Sequence, residues 1–139
     1  MESQLRKTAF LSAATEALGL EARVRVHRTR AEEAIPFLGR ERAEAASCRA
    51  LAAVPVATEL LSPLVRVGGV LILWTTPLRA EDVPSAASVE ALGLAPEPEL
   101  LASPSALRDD GALLVWRKIA PASARFPRRS GRAAATPLP

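Results

Sequence analysis

Four groups of residues in this chain have the types and positions that ligand binding requires: Glu2 with Ser3, Arg30 to Glu33, Arg49, and Thr75 with Thr76. Glu2 and Ser3 open a predicted helix, and Arg30 to Glu33 follow a predicted strand. Arg49, Thr75 and Thr76 lie within or near the end of predicted strands. In open α/β sheets, ligands bind outside the carboxyl ends of the strands. Carboxylates accept hydrogen bonds there, and guanidinium groups donate them. We therefore expect these residues to line a ligand site.

The chain lacks the residue sets that several other activities need. His27 and Cys48 are its one histidine and one cysteine, and they stand far apart in the sequence. Metal centres need clustered ligands, so we expect no metal site. The sequence offers no Ser, His and Asp set and no poised pair of carboxylates, which argues against a hydrolase. Cys48 is predicted to be a small buried apolar residue rather than a nucleophile.

The N-terminus and the hydropathy pattern indicate a cytoplasmic protein. The opening stretch MESQLRKTAF contains no apolar signal core, and a single cysteine cannot form an internal disulfide. No apolar run approaches the roughly 18–20 residues that a membrane-spanning helix needs. We expect no association with a membrane.

The basic residues are concentrated at one end of the chain, which has 139 residues and a net charge of +3. Residues 1–120 carry 14 Lys and Arg against 15 Asp and Glu, and we expect them to form one α/β domain. Residues 121–139 add Arg125, Arg128, Arg129 and Arg132 without an acid. Such a basic Arg/Pro/Ala tail either binds phosphate groups, because arginine makes bidentate contacts to them, or is a solvated, disordered terminus.

The elements that must position these residues alternate between helices and strands. Ser3 is predicted to cap a helix that runs to Leu18 and stops at Gly19. Its apolar residues recur every four positions, which predicts a face that packs against the rest of the protein. Residues 24–26 alternate as in a strand, and residues 34–44 form a loop or short helix.

The middle of the chain contains the most apolar strand. Residues 45–53 are predicted to form a strand, although their alanine content leaves a helix open, and residues 54–64 to form a helix. Gly68 and Gly69 then turn the chain into the run VLILWTTP, which is typical of a strand covered on both faces. Trp74 in this run, and Trp116 in a later strand, are predicted to lie in the core.

The last third of the domain repeats the alternation. A helix is predicted within residues 79–93, a proline-rich connection over 95–105, and a strand over 112–119 that a turn at Asp110 and Gly111 introduces. Helices that alternate with strands favour a mostly parallel sheet with helices on its faces.

Five stretches occur in the order and at about the spacing of a known family: ESQLRKTAFL, RAEE, SCRALA, LLSPLVRVGGVLIL and RFPRRSGRAAATPL. Together they resemble the C-terminal part of the bacterial 16S ribosomal RNA guanine-N7 methyltransferase family, also called glucose-inhibited division protein B. The resemblance implies a Rossmann-like class I methyltransferase sheet, S-adenosyl-L-methionine as cofactor, and 16S ribosomal RNA or a precursor of the small ribosomal subunit as partner. Because N7 of guanine carries no proton, this reaction needs no general base, and no catalytic residue is assigned.

The resemblance also implies roles for single residues. Glu2 matches the acidic residue that binds the ribose hydroxyls of the cofactor. Ala31 and Glu32 match the pair that lies along the adenine, largely through backbone and packing. Arg49 matches an arginine near the methyl donor and the incoming base. The four tail arginines, which are Arg125, Arg128, Arg129 and Arg132, match a segment that meets RNA phosphates.

The chain departs from the family pattern at several places. The family's first strand and the Gly-rich loop around the methionine end of the cofactor have no match, so we expect a sheet truncated at the N-terminus. Trp74 to Thr76 stand where the family usually has Lys-Gly, and Ala133 to Ala135 replace basic residues. Three functions remain open: a methyltransferase that is incomplete as given, a non-catalytic remnant or RNA-binding module without a competent cofactor site, and a nucleotide-binding fragment of another α/β family.

Overall fold

The computed structural model describes residues 1–75, 82–97 and 112–139. In these residues four strands form one mixed sheet with the order β1-β2-β4-β3, where the strands are β1 (Ala43–Arg49), β2 (Val65–Thr75), β3 (Leu94–Pro96) and β4 (Ala112–Lys118). β1 runs parallel to β2, whereas β4 is antiparallel to both β2 and β3. The predicted α/β class is confirmed. The expectation of a mostly parallel sheet is wrong for these four strands, because β4 runs antiparallel to both of its neighbours and only β1 and β2 are parallel.

Five helices and two 3-10 turns accompany the described sheet. The helices are α1 (Leu5–Ala17), α2 (Ile35–Leu38), α3 (Val54–Leu61), α4 (Ala86–Ala91) and α5 (Arg132–Ala135), and the 3-10 turns are Ala31–Glu33 and Ser62–Leu64. The helix predicted over residues 54–64 is confirmed as α3 and the turn that continues it. No helix among the described residues is long and apolar enough to span a membrane.

The core lies between α3 and one face of the sheet. α3 is apolar nearly all round, and seven of its eight residues are buried. Leu71 and Leu73 of β2 are buried on this face, as is Trp116, which pairs with Leu71 and confirms its predicted core position. Trp74 is 43% exposed, so its predicted core position is wrong. Successive strand residues point to opposite faces, so Trp74 lies on the face opposite to Leu73, away from α3.

Helix α1 differs from the prediction in its cap and its packing. It begins at Leu5, and the residue at its N-cap position is Gln4 rather than Ser3. The backbone N–H of Gln4 donates to Glu2 Oε1 at 2.8 Å. Gly19 ends the helix in the left-handed conformation, as predicted (φ 64°). No residue of α1 is buried, and Phe10 is 71% exposed, so the predicted packed face is wrong for the described part of the chain.

The strand predicted around residues 24–26 is also wrong, because residues 24–28 form no strand in the structure. Their backbone contact to the start of the chain is one hydrogen bond, from Glu2 N to His27 O at 3.1 Å. A strand needs backbone hydrogen bonds to a neighbouring strand. Within the described ranges β1 pairs with β2 alone, so residues 24–28 do not join the sheet at its β1 edge. The strand predicted over 45–53 is confirmed as β1, which begins two residues and ends four residues earlier, and the helical alternative is wrong.

The two glycines at 68 and 69 lie inside β2 rather than before it. The register of β1 and β2 shifts between Ala43 and Ala45, whose partners are Val65 and Val70. Gly68 is left-handed with φ 84°, so the predicted turn is a local irregularity within a longer strand. The strand predicted over 112–119 is confirmed as β4. The turn at Asp110 and Gly111 lies outside the described residues, as do parts of the segments predicted over 79–93 and 95–105.

The C-terminal segment packs on the α/β unit, so the disordered interpretation of residues 121–139 is wrong. Phe126 is 1% exposed, and Ala122 and Ala133 are buried. The Arg40 guanidinium donates to the carbonyl oxygens of Ala122 and Ser123 at 2.9 and 3.1 Å. These contacts hold the basic segment against the fold.

Candidate functional site

A cavity of about 260 Å³ opens where β1 ends, between the start of the chain and the first 3-10 turn. Its walls are formed by Met1, Glu2, Ser3, Thr29, Arg30, Ala31, Glu32, Ser47, Cys48, Leu51 and Leu61. Three of the four residues predicted to bind the cofactor, Glu2, Ala31 and Glu32, therefore lie together although about thirty positions separate them in the chain. We call this space the first cavity.

Local hydrogen bonds fix the wall of the first cavity that Glu2 forms. Its backbone N–H donates to His27 O, and its carbonyl oxygen accepts from Thr8 Oγ1 at 3.1 Å. Its Oε1 accepts from the backbone N–H of Gln4. Glu2 is thus held against the segment at His27 and the first turn of α1.

Arg49 and Thr75 do not join this group. Arg49 ends β1 as an exposed residue and does not line the first cavity, although its neighbours Ser47 and Cys48 do. Thr75 ends β2, and Thr76 lies outside the described residues. An exposed arginine keeps its hydration, so Arg49 does not need the partner that its small apolar neighbours suggest.

Glu32 is the most constrained ionised group at the site. Its side chain is 7% exposed, and its Oε1 accepts hydrogen bonds from Arg30 Nε at 2.8 Å and from Ser130 Oγ at 3.1 Å. Burial raises the pKa of this carboxyl group, but the hydrogen bonds from Arg30, its own backbone and Ser130 outweigh burial and lower the pKa overall. Glu32 is therefore a carboxylate at neutral pH.

Cys48 is a half-buried thiol in the wall of the first cavity. Burial raises the pKa of this thiol above its ordinary value. The uncharged thiol therefore prevails at neutral pH.

A second cavity of about 200 Å³ adjoins the first. It is lined by Arg30, Glu32, Leu51, Ala52, Val56, Leu60, Arg129, Gly131, Ala133 and Ala134, so that Arg30, Glu32 and Leu51 belong to both cavities. Sequence reasoning missed this site. Its residues come from three distant parts of the chain, and no local pattern links Ala52 to Gly131.

The four tail arginines have different surroundings. Arg129 lines the second cavity, and the guanidinium of Arg125 lies 4.7 Å from the ring centre of Phe126. Arg132 opens α5 and is exposed. Arg128 points inward, where it forms an ion pair with Glu59, whose side chain is fully buried. The structure thus leaves three of the four on the surface.

Comparison with known proteins gives a consistent match. Residues 1–90 match the family model described as GidB: rRNA small subunit methyltransferase G. The protein named ribosomal RNA small subunit methyltransferase G from Syntrophomonas wolfei is 33% identical over 138 residues, which are 99% of this chain and 64% of the relative. The protein of the same name from Deinococcus deserti is 34% identical over 134 residues, which are 94% of this chain and 54% of the relative.

The chain spans less than two thirds of the length of either relative. The mixed sheet of four strands is consistent with a methyltransferase-like fold. The model match covers more than half of the chain, and the two relatives cover nearly all of it. This chain belongs to the GidB family, the rRNA small subunit methyltransferase G proteins.

Proposed function

We propose that this chain binds S-adenosyl-L-methionine in the first cavity and takes part in methylating N7 of a guanine in 16S ribosomal RNA, in the cytoplasm. The observation that carries the proposal is the convergence of Glu2, Ala31 and Glu32 on one cavity. The tail arginines that are exposed, Arg125, Arg129 and Arg132, would contact the RNA phosphates.

The residues of the first cavity fit the adenosine part of this cofactor. The Glu2 carboxylate provides acceptors for the two ribose hydroxyls, and the side chains of Leu51 and Leu61 provide apolar contacts for the adenine. Cavities that hold a whole small ligand measure roughly 300–1,000 Å³. A volume of about 260 Å³ falls just below that range and favours part of the cofactor rather than all of it.

The reaction depends on the positions of the cofactor and the guanine rather than on proton transfer. The cofactor, held at its adenosine part by residues of the first cavity, would supply a methyl group on a sulfonium to the lone pair of N7. Because no proton leaves N7, no residue of this chain has to act as a base. Glu2 and Ala31 would orient the adenosine, and the arginines would orient the RNA; such alignment is the main source of rate here.

A second candidate function is an RNA-binding module without catalytic activity. The observation in its favour is that the chain spans only 64% and 54% of the two relatives, so the site in a full-length protein can include residues that this chain lacks. This module would keep the basic tail and have no measurable affinity for the cofactor. The two candidates therefore differ in one measurable property.

The test is calorimetric titration of the folded chain with S-adenosylhomocysteine, the product of methyl transfer. We expect a dissociation constant in the micromolar range, which corresponds to about 8 kcal/mol. Glu2→Ala should weaken binding about tenfold, because charge-assisted hydrogen bonds to the ribose are lost. Glu21→Ala, which changes an exposed glutamate outside both cavities, should leave binding unchanged. A folded chain that binds nothing would replace the proposal by the RNA-binding module.

A further inference from the structure

The second cavity combines an apolar floor with a charged rim. Val56, Leu60 and Ala133 on its floor are at most 8% exposed. The rim carries the guanidinium groups of Arg30 and Arg129 and the carboxylate of Glu32. A flat heterocycle with a phosphate attached has matching properties, since its ring faces are apolar and its phosphate is anionic. The cavity also follows the carboxyl end of β1, where α/β sheets bind ligands.

Glu32 determines which heterocycle fits. Ser130 of the C-terminal segment donates a hydrogen bond to the Glu32 side chain and so fixes its position. Ser130 lies between Arg129 and Gly131, which both line the second cavity. A carboxylate accepts about four hydrogen bonds. The bonds from Arg30 and Ser130 occupy Oε1, so even with the bond from its own backbone, Oε2 is the oxygen that can still accept from a ligand. Among the purines, guanine presents two adjacent donors, N1–H and the N2 amino group, to such an acceptor.

Binding of guanine through N1–H and the N2 amino group is also what methylation of N7 requires. Guanine carries N7 and O6 as acceptors on the edge opposite to N1 and N2. An arginine bound to N7 and O6 would occupy the lone pair that must attack the methyl group. A carboxylate bound to N1 and N2 leaves N7 open, and enzymes that modify bases commonly read the Watson–Crick edge of an extruded base in this way.

We propose that the second cavity holds the base of the guanosine nucleotide that accepts the methyl group, with Glu32 on N1–H and the N2 amino group, the apolar floor against the purine ring, and Arg129 near the phosphate outside it. This assignment rests on the proposed function and adds the recognition of the acceptor base to it. Because the Watson–Crick edge must be free, the substrate is an unpaired guanosine or one extruded from a helix. Glu32 and Leu51, which line both cavities, place the acceptor beside the cofactor.

The experiment titrates the isotope-labelled 139-residue chain with three mononucleotides and follows backbone amide signals by NMR. The probes are guanosine 5′-monophosphate, inosine 5′-monophosphate, which lacks the N2 amino group, and adenosine 5′-monophosphate, which also lacks N1–H. We expect shifts at Ala52, Gly131 and Ala133, and affinity that falls at least about tenfold from the guanine to the inosine nucleotide, as for one lost hydrogen bond to a charged group. Adenosine 5′-monophosphate should bind more weakly still.

Three variants separate base recognition from general attraction of phosphate. Glu32→Gln should abolish the preference for the guanine nucleotide, whereas Arg129→Ala should weaken all three nucleotides alike, by about three- to tenfold. Arg23→Ala, at an exposed position outside both cavities, is the matched control and should change nothing. Equal affinity for the three nucleotides, or shifts confined to Arg125 and Arg132, would overturn the proposal.

A parallel titration with S-adenosylhomocysteine keeps this proposal distinct from the proposed function. A chain that prefers the guanine nucleotide at these amides but does not bind S-adenosylhomocysteine supports the guanosine site and contradicts the cofactor site. A chain that binds S-adenosylhomocysteine without any preference among the nucleotides supports the cofactor site and contradicts the guanosine site.

Discussion

Arg128 donates from Nε and Nη2 to the two carboxylate oxygens of Glu59, and this pair connects the C-terminal segment to α3. The backbone N–H of Arg128 also donates to Glu59 Oε1 at 3.1 Å, and Nη2 donates to Thr136 O at 2.9 Å. Glu59 is fully buried, and these donors satisfy its carboxylate oxygens. A structural role for Arg128 therefore competes with its predicted role in binding RNA.

The first prediction separates these two roles with neighbouring arginines. Arg128→Ala leaves a buried carboxylate without its partner and should lower the free energy of unfolding by about 3–5 kcal/mol. Arg129→Ala should change it by less than about 0.5 kcal/mol, because Arg129 is exposed. Urea unfolding measures both effects.

The same two residues should behave in the opposite order towards RNA. Arg129→Ala should reduce the slope of log affinity against log salt by about one, as for one lost phosphate contact. Arg128→Lys, which keeps a charge but not the two-pronged contact, provides a folded comparison. Because lysine keeps the charge, Arg128→Lys should leave the salt dependence unchanged but lower the free energy of unfolding. If it leaves the stability unchanged as well, the two-pronged ion pair with Glu59 is dispensable.

The second prediction concerns the buried ammonium of Lys118. It donates to Ser62 O, Ser62 Oγ and Leu92 O at 2.9, 3.0 and 3.1 Å, and lies 3.4 Å from Glu41 Oε1. Burial lowers the pKa of Lys118 below its ordinary value of 10.5 and outweighs the attraction to Glu41. Between the lowered pKa and 10.5, the unfolded chain binds more protons than the folded chain.

Stability should therefore rise with pH across that window, by at most about 1.4 kcal/mol per pH unit from this one group. Lys118→Met should remove this rise, which unfolding in urea at several pH values up to 10.5 would measure. Cys48 acts in the opposite direction, because its raised pKa makes stability fall above pH 9.0, but it is present in both proteins and cancels in the comparison. Parallel curves for the two proteins would contradict the lowered pKa.

The third prediction uses two left-handed glycines with different surroundings. Gly93 has φ 68°, and a Cβ added there would lie 1.9 Å from Ala120 O. Gly19 has φ 64° with nothing within 4 Å of such a Cβ. Gly19→Ala should lower the free energy of unfolding by about 1–2 kcal/mol, the cost of the left-handed backbone alone. Gly93→Ala should cost about 3 kcal/mol or more, since steric overlap is added. Equal losses would mean that the backbone at Ala120 moves away without cost.

The fourth prediction compares two phenylalanines that the sequence alone does not distinguish. Phe126 is 1% exposed in the C-terminal segment, whereas Phe10 is 71% exposed on α1. Phe126→Ala should lower the free energy of unfolding by about 3–5 kcal/mol. Phe10→Gln, which keeps a good helix former, should change it by less than about 0.5 kcal/mol. A large loss for Phe10→Gln would show that the α1 face is covered in solution.

These two residues also show which parts of the fold can be predicted from the sequence. The strands β1, β2 and β4 and the helix α3 were predictable, because each carries its own local apolar pattern. The exposure of Phe10 and Trp74 was not, because an apolar face indicates a contact without indicating whether this chain supplies the partner. Glu2 and Glu32 were assigned through the family resemblance, since only tertiary contacts bring them together. The second cavity brings Ala52 close to Gly131, and no sequence spacing predicts that these two residues lie in one cavity.

The fifth prediction uses Cys48 as a chemical reporter of the first cavity. It is the one cysteine of the chain, so a thiol reagent labels a single position. Because burial raises its pKa, the thiolate is scarce, and iodoacetamide should alkylate the folded chain at pH 7.5 at least about tenfold more slowly than the urea-unfolded chain. Mass spectrometry over time measures both rates, and Cys48→Ser is the unlabelled control.

Ligands should then separate the two cavities, because Cys48 lines the first and not the second. S-adenosylhomocysteine should slow the labelling further in proportion to its occupancy, whereas guanosine 5′-monophosphate should leave the rate unchanged. If S-adenosylhomocysteine binds by calorimetry but leaves the alkylation rate as it was, the cofactor does not occupy the cavity beside Cys48. If guanosine 5′-monophosphate protects the thiol instead, the nucleotide occupies the first cavity, and the assignment of the two cavities must be exchanged.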